Sequence, residues 1–415
     1  MKAKVQFLEV SGKGGYIGLL GGLAALLVIG LLSAYYMEHH GHHVTGMTNQ
    51  IVWGMPHVFA IFLIVAASGA LNVASIASVF GKQVYKPLAP LSALLSMALL
   101  MGGLAVLVLD LGRPDRLIVA MTYYNFKSIF AWNIFLYTGF LGIVLVYLWF
   151  MLEKRMNRYS HYAGFTAFIW RLILTTGTGS IFGFLVAREA YNAAILAPLF
   201  IVMSFSLGLA VFLLVLMAAY RWTERPLGDL VMRRLKNLLG VFIGAVLYFV
   251  AVYHVTNLYA TRLHGAEAFI LLNGGIYTFL FWFVQILIGS VLPLILLFHP
   301  TLGRSRSIIG TACVLVILGG LAQLYVIIIG GQAWPLNLFP GYEISSSFYD
   351  GVVASYRPTL PEFLLGIGGA ALAMLIVALG VRFLRLLPAS LADERVDPHA
   401  AKAAAAEPEA AAAQA

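Results

Sequence analysis

Cysteine occurs once in the 415 residues, as Cys313, and charged side chains make up only 10% of them. An iron–sulfur cluster is normally held by four thiolates, and a structural zinc site by several Cys or His at close spacing. The chain therefore supplies no iron–sulfur cluster of its own, and no metal site is expected in it. A soluble chain carries about a quarter charged residues, so the shortage of charge excludes an ordinary soluble domain. Acidic residues are scarcest, 17 against 26 Lys and Arg, and none falls in the core of an apolar run. Pumps and ion-coupled transporters commonly thread Asp, Glu or His through the bilayer, which makes active pumping a weak expectation here.

What fills the chain is apolar sequence, 61% of all residues. Runs of roughly 20 residues, long enough to cross a hydrocarbon core as a helix, recur ten times. They span 15–36, 51–79, 88–109, 128–151, 162–187, 193–220, 238–259, 275–298, 308–329 and 363–381. Unbroken runs of this length do not fit the short alternating segments of a membrane barrel. The expected fold is an all-α integral membrane protein of about ten transmembrane helices. Small residues recur in Ala66-Ala-Ser-Gly-Ala70 and in Ser204, Ser206, Gly208 and Ala210, four helices apart. Beside ordinary tight packing, this allows two parallel four-helix bundles, 51–187 and 193–329, with flanking helices. The membrane domain would occupy 1–387, and 388–415, rich in Ala, Glu and Pro, would be a disordered cytoplasmic tail.

Cytoplasmic loops retain Lys and Arg. With the N-terminus inside, 19 of the 26 basic residues fall on inner segments, among them Lys82, Lys86, Lys154, Arg233 and Arg234. Both termini are then cytoplasmic in a multi-pass protein of a bacterial inner membrane. The net charge of +9 reflects topology, and no nucleic-acid partner follows from it. The first apolar run is too long for a cleaved signal, so it reads as an uncleaved first helix.

Against this background Asp110-Leu-Gly-Arg-Pro-Asp-Arg116 stands out, with four charges at a helix end. A carboxylate at a helix C-terminus is disfavoured by a few tenths to about 1 kcal/mol. Arg113 and Arg116 are the expected partners for Asp110, making either a salt-bridged cap or part of a polar pocket with Tyr123, Tyr124 and Asn125. His57, roughly 9 Å below the same outer surface by helix rise, is the second titratable group there. Such a pocket suits a quinone, whose headgroup needs hydrogen-bond donors and a proton-exchanging group, a role His fills near neutral pH.

This loop, Ser128 and Trp132 on the next helix, and Trp53-Gly-Met-Pro56 opening the second span resemble the NrfD-like family, the membrane subunits of polysulfide-reductase-type complexes. The resemblance covers most of the chain. Length and ten-helix layout are similar to the long branch that includes DsrP, the quinone-interacting subunit of the sulfite-reductase-associated transmembrane complex of sulfur-metabolising bacteria. What it implies is a subunit without its own redox centre. Such a subunit exchanges electrons between the quinone pool, ubiquinone or menaquinone, and a periplasmic ferredoxin-like iron–sulfur partner, beside a cytochrome and other membrane subunits. Shorter members use an Asn, a His and a Tyr at the quinone pocket. The resemblance carries the His role to His57 and the Tyr role to Tyr123 or Tyr124, while Asn72 lies too deep for the Asn.

Other polar groups stay open between function and structure. Arg171, about 14 Å from the inner surface by helix rise, must be paired or hydrated. Asn133 is a candidate partner, and the pair is either part of a proton path or a structural clamp. His254 sits at the depth of His57, but two lone histidines make haem b an unfavoured reading. His39-His-Gly-His-His43 reads as a solvated loop or an adventitious metal binder. The connection 330–362, with Trp334, Phe339, Tyr342, Phe348, Tyr349 and Tyr356, suits docking of a periplasmic partner or interfacial anchoring. Two other functions remain beside quinone chemistry, a secondary transporter and a membrane anchor without quinone chemistry.

Overall fold

The computed structural model describes residues 6–7, 14–336 and 351–397. Ten long helices run through it: α1 (Gly14–His40), α2 (Met55–Ser78), α3 (Ala89–Leu109), α4 (Ile129–Leu152), α5 (Ser160–Gly183), α6 (Leu196–Trp222), α7 (Asp229–Tyr259), α8 (Ile276–Phe298), α9 (Arg306–Ala333) and α10 (Leu360–Phe383). Among the described residues nine helices are long and apolar enough to cross a membrane. The remaining one, α5, spans 24 residues and is more polar because it carries Arg171 and a run of Thr and Gly. No strand forms among the described residues beyond two isolated β-bridges. The protein is an all-α integral membrane protein, as a chain must be when lipid offers its backbone no hydrogen bonds.

α2, α3, α4 and α5 pack around one another, and α6, α7, α8 and α9 form a second group. One continuous apolar core runs through both. The groups meet where α2 crosses α6, at the two small-residue segments noted in the sequence. A Cβ on Gly69 would overlap the Ser204 carbonyl, and one on Gly208 would overlap the backbone of Gly69 and Ala70. Only glycine permits this approach, and with α3, α5, α6, α9 and α10 all packed on it α2 is almost wholly buried. α10 lies against α2 and α3 through Gly366 and Gly369, and α1 packs on α10 where Gly30 meets Gly368. The rest of α1 is largely exposed.

Several helices depart from regular geometry. α2 is interrupted at Leu71, before Asn72. π-helical turns occupy Leu280–Val291 of α8 and Val326–Gly330 of α9. Gly330 and Gly331 therefore lie inside a continuing helix rather than ending it. α7 begins nine residues before the apolar run, because Val231, Met232 and Leu235 are buried while Arg233 and Arg234 face outward. This amphipathic lead-in is invisible to a count of apolar residues.

Residues 388–397 correct the expected tail. Leu386, Leu387, Leu391 and Val396 are buried. Gly228 N donates to Leu391 O at 2.8 Å, Leu391 N to Pro226 O at 2.9 Å, and Leu230 N to Asp393 Oδ1 at 3.0 Å. A few well-spaced apolar side chains hold this stretch against the α6–α7 turn despite its polar composition. The remainder of the tail, 398–415, lies outside the described residues.

Candidate functional site at the His57 end

Asp110 and His57 meet at one end of the first helix group. Asp110 terminates α3, and Gly112, with φ +68°, turns the chain away behind it. His57 stands in the first turn of α2, which Gly54 and Pro56 open. His57 Nδ1 lies 2.9 Å from Asp110 Oδ2, at ion-pair distance but without the alignment of a formed hydrogen bond. The Asp110 side chain has no exposure and that of His57 has 20%. The positive end of α2 offsets the unfavourable placement of a carboxylate at the end of α3.

This corrects the expected partners of Asp110. Arg113 turns outward and forms a two-pronged pair with Asp115, Nε to Oδ1 and Nη2 to Oδ2, both 3.0 Å. Those hydrogen bonds hold the Asp115 carboxyl below the usual carboxylate range. Arg116 is also exposed. Only the first residue of the charged loop faces the interior, because the left-handed turn at Gly112 sends the rest to the surface.

Beside the pair is a cavity of about 370 Å³ between α2, α3, α4 and α5. Trp53 and His57 wall one side, Asn133 and Tyr137 another, and leucines of α3 complete it. Exposed Leu111 and Thr138 belong to its lining, together with Leu117 and Met121 of the connection from α3 to α4, so it reaches the surface beside that connection. Asn133 Nδ2 donates to Ile129 O at 2.9 Å and Gly177 O at 3.1 Å. Tyr137 Oη lies 3.1 Å from Thr178 Oγ1, which also reaches Asn133 Oδ1. Tyr123 is 82% exposed, and neither it nor Tyr124 lines the cavity. The tyrosine here is Tyr137, missed in the sequence because it lies within an apolar helix rather than on the loop.

A buried polar clamp holds the Trp53 segment. Gln332 Oε1 accepts from Val52 N and Trp53 N, both at 3.0 Å, and Gln332 Nε2 donates to Trp53 O and Ile328 O, both at 2.9 Å. Arg188 donates to Gln50 O at 2.8 Å and Gln332 O at 3.0 Å, and burial pulls its guanidinium below the usual range. Met55 N donates to Tyr356 Oη at 2.7 Å, and that hydroxyl donates to Glu362 Oε1, also at 2.7 Å. Glu362 further accepts Gly46 N, Thr359 N and Thr359 Oγ1. The Thr359–Glu362 capping box is the signal that could have exposed this clamp. Burial, then Glu362, push the Tyr356 phenol well above its usual range.

The other expectations resolve differently. Arg171 is buried in α5 and donates from Nη2 to Asn72 Oδ1 at 2.7 Å, so Asn72 and not Asn133 is its side-chain partner. Its guanidinium lies between Phe168 and Phe205, 4.9 and 5.1 Å from the ring centres. His254 pairs with buried Glu267, Nδ1 to Oε2 at 2.7 Å, while Asn257 Nδ2 donates to Glu267 Oε1 at 2.7 Å. His254 lines a separate cavity of about 20 Å³ in the second helix group, so the structure does not bring it to His57. Among the described residues no three potential ligands gather for a metal ion. Trp334 packs on Phe269 and donates to Glu189, and Tyr356 is buried, so neither offers a free docking surface. Phe339, Tyr342, Phe348 and Tyr349 lie outside the described residues.

The family model described as "Polysulphide reductase, NrfD" matches residues 43–335. The chain belongs to the NrfD family. The match takes in α2 to α9, both helix groups, and leaves α1 and α10 outside. Among curated relatives, the Hdr-like menaquinol oxidoreductase integral membrane subunit of Archaeoglobus fulgidus is 30% identical over 95% of this chain and 99% of its own length. A putative dimethyl sulfoxide reductase membrane subunit of Halobacterium salinarum is 29% identical over 89% and 91%. The menaquinone reductase integral membrane subunit of Nitratidesulfovibrio vulgaris is 23% identical over 86% and 89%. The chain is thus similar along almost its full length to membrane subunits of oxidoreductases.

Proposed function

We propose that this NrfD-family protein is the quinone-reactive membrane subunit of an electron-transfer complex. The carrying observation is the His57–Asp110 pair on the wall of a cavity that also presents Asn133 and Tyr137. An apolar cavity with a few convergent polar groups is the usual form of a small-molecule site, and an apolar mouth lined by Leu111, Leu117 and Met121 suits a ligand with an isoprenoid tail. It also holds one Asn, one His and one Tyr, the set that the family resemblance implies, with Asn133 and Tyr137 beside His57.

Quinone supplies the two-electron redox chemistry, and the chain's residues manage position and protons. His57 receives a proton from a hydroquinone oxygen, or returns one. Asp110 stabilises the imidazolium and sets the ring's tautomer. Tyr137 orients the second oxygen by turning its hydroxyl from Thr178 Oγ1 toward it, and Asn133, held by Ile129 O and Gly177 O, fixes Thr178 behind it. Two relatives are named for menaquinol or menaquinone, which favours menaquinone over ubiquinone. The electrons exchange with an iron–sulfur centre of a partner, because four thiolates are beyond a chain with one cysteine. In this reading the partner is a periplasmic ferredoxin-like subunit beside a cytochrome and other membrane subunits, as in the sulfur-metabolising complexes of the DsrP branch. The protein lies in a bacterial cytoplasmic membrane with both termini inside.

The test is quinol-dependent reduction of the partner's iron–sulfur centres in membranes holding the assembled complex. His57→Ala is expected to lower the rate by roughly 10²- to 10⁴-fold, the usual contribution of a general base, at unchanged chain abundance. Asp110→Asn falls between it and the parent. Normal transfer in both variants would remove these residues from the site, and absence of quinone from lipid extracts of the purified complex would count against quinone chemistry.

A further inference from the structure

The histidine loop after α1 has a place in the structure that quinone binding alone does not use. Gly41, with φ +84°, ends α1 and sends the short helix His42–Val44 back over the bundle. His42 Nε2 then lies against the turn behind Asp110, 3.3 Å from where a Cβ on Gly112 would stand. One helical turn earlier, Glu38 Oε1 is 3.8 Å from the same nitrogen, too far for a hydrogen bond.

Buried side-chain atoms without a hydrogen-bond partner concentrate here. Among the described residues they include Glu38 Oε1, His42 Nε2, His57 Nδ1 and both Asp110 oxygens, while the others belong to Asn72, Arg171 and Gln323. Buried polar atoms are almost always satisfied, and a polar cluster of this kind is where internal water binds. Exposure is graded along the cluster. The Asp110 side chain has none, whereas those of His42 and Glu38 have 28% and 31%.

We propose that His42 and Glu38 form the solvent end of a proton relay serving His57 and Asp110; the proposal rests on the quinone reading above. Oxidation of one hydroquinone breaks two O–H bonds and releases two protons and two electrons. The electrons pass singly to the partner's iron–sulfur centre. The first proton is taken by His57 on the cavity side as the ring swings into line and passes its Nδ1 proton to Asp110 Oδ2, 2.9 Å away. The ring then turns over to present a bare nitrogen to the cavity, and the second proton follows once Asp110 has passed the first on. From Asp110 each proton crosses a bridging water to His42 and Glu38, then enters bulk solvent. Quinone reduction runs the same steps backward. His42 and Glu38 touch no substrate, so they act through Asp110.

The relay is tested in membranes containing the assembled complex, with His42→Gln, Glu38→Gln and His42→Gly. Quinone-analogue binding is expected to stay at the parent value in all three. Quinol oxidation is expected to slow about tenfold, less than direct loss of a general base, and its solvent deuterium isotope effect to rise. Added imidazole is expected to restore much of the His42→Gly rate. Rates within twofold of the parent with an unchanged isotope effect would overturn the relay. So would slowing that imidazole does not relieve and deuterium does not deepen, since that marks a structural loss. In either case an inactive His57→Ala leaves the quinone reading standing, whereas a parent complex that neither binds nor oxidises quinol removes both.

Discussion

At the scale of single residues the described interior contains two kinds of buried charge. Asp110 stands 2.9 Å from His57, so either group gains a counter-charge as its partner ionises. Arg171 is different. It is 1% exposed, its side-chain hydrogen bond goes to a neutral amide, and its Nε and Nη1 have no hydrogen-bond partner. The two phenyl faces supply cation–π attraction, worth about 2 kcal/mol when desolvated, which does not replace a carboxylate. Buried ions of this kind are often dispensable to stability once all the polar groups they satisfy are replaced together. Arg171→Met alone should therefore destabilise the protein by about 1–3 kcal/mol, because it leaves Asn72 Oδ1 buried without a donor. Arg171→Met with Asn72→Leu should recover most of that loss. Thermal unfolding of the detergent-solubilised protein measures both, and a double variant less stable than Arg171→Met alone would show that Asn72 is held by something other than Arg171.

At the scale of elements, the crossing of α2 and α6 decides whether the two helix groups form one core. Small residues let helix backbones approach closely, and here Gly208 lies so near Gly69 that a side chain on either meets backbone atoms, which cannot swing aside. Gly208→Val should destabilise by about 1–3 kcal/mol or more, the range of overpacking. Gly244→Val is the matched control, since nothing lies within 4 Å of its added Cβ, and surface substitutions usually change stability by no more than about 0.5 kcal/mol. Equal melting temperatures for the two variants would mean that α2 and α6 do not pack this way in the membrane. The small residues of this crossing were legible in the sequence as a repeat, and so were the ten helices, because lipid demands long apolar runs. The start of α7 was not, since its first turns bury apolar residues on one face only. The buried Leu391 and Val396 were hidden for the same reason, being single apolar side chains in polar surroundings.

At the scale of the whole molecule, the sequence indicated that His57 and Asp110 share a face more readily than it indicated which side chains surround them. His57 and Asp110 were placed on one face by counting helix crossings, and they touch. Tyr137, Gln332 and the Asn72–Arg171 pair depend on how helices rotate against one another, which apolar runs of low periodicity do not encode. That shared face has an energetic consequence. If electrons and protons both leave a hydroquinone on the side carrying Asp110, no net charge crosses the bilayer. Moving one elementary charge across costs about 2.3 kcal/mol per 100 mV, roughly a fiftyfold change in an equilibrium constant. Quinol oxidation by the complex in sealed liposomes should therefore change by less than about twofold when a potassium diffusion potential of about 100 mV is imposed in either direction. Impermeant maleimide gives the matching geometry: in intact cells it should label Asp115→Cys, on an exposed turn beside the site, and spare Arg155→Cys at the opposite ends of α4 and α5. The native thiol, Cys313, is buried and contributes little background. A rate that follows the imposed potential while the labelling pattern holds would mean that charge passes through the bundle, and attention would turn to the buried His254–Glu267 pair and Arg171 as its path.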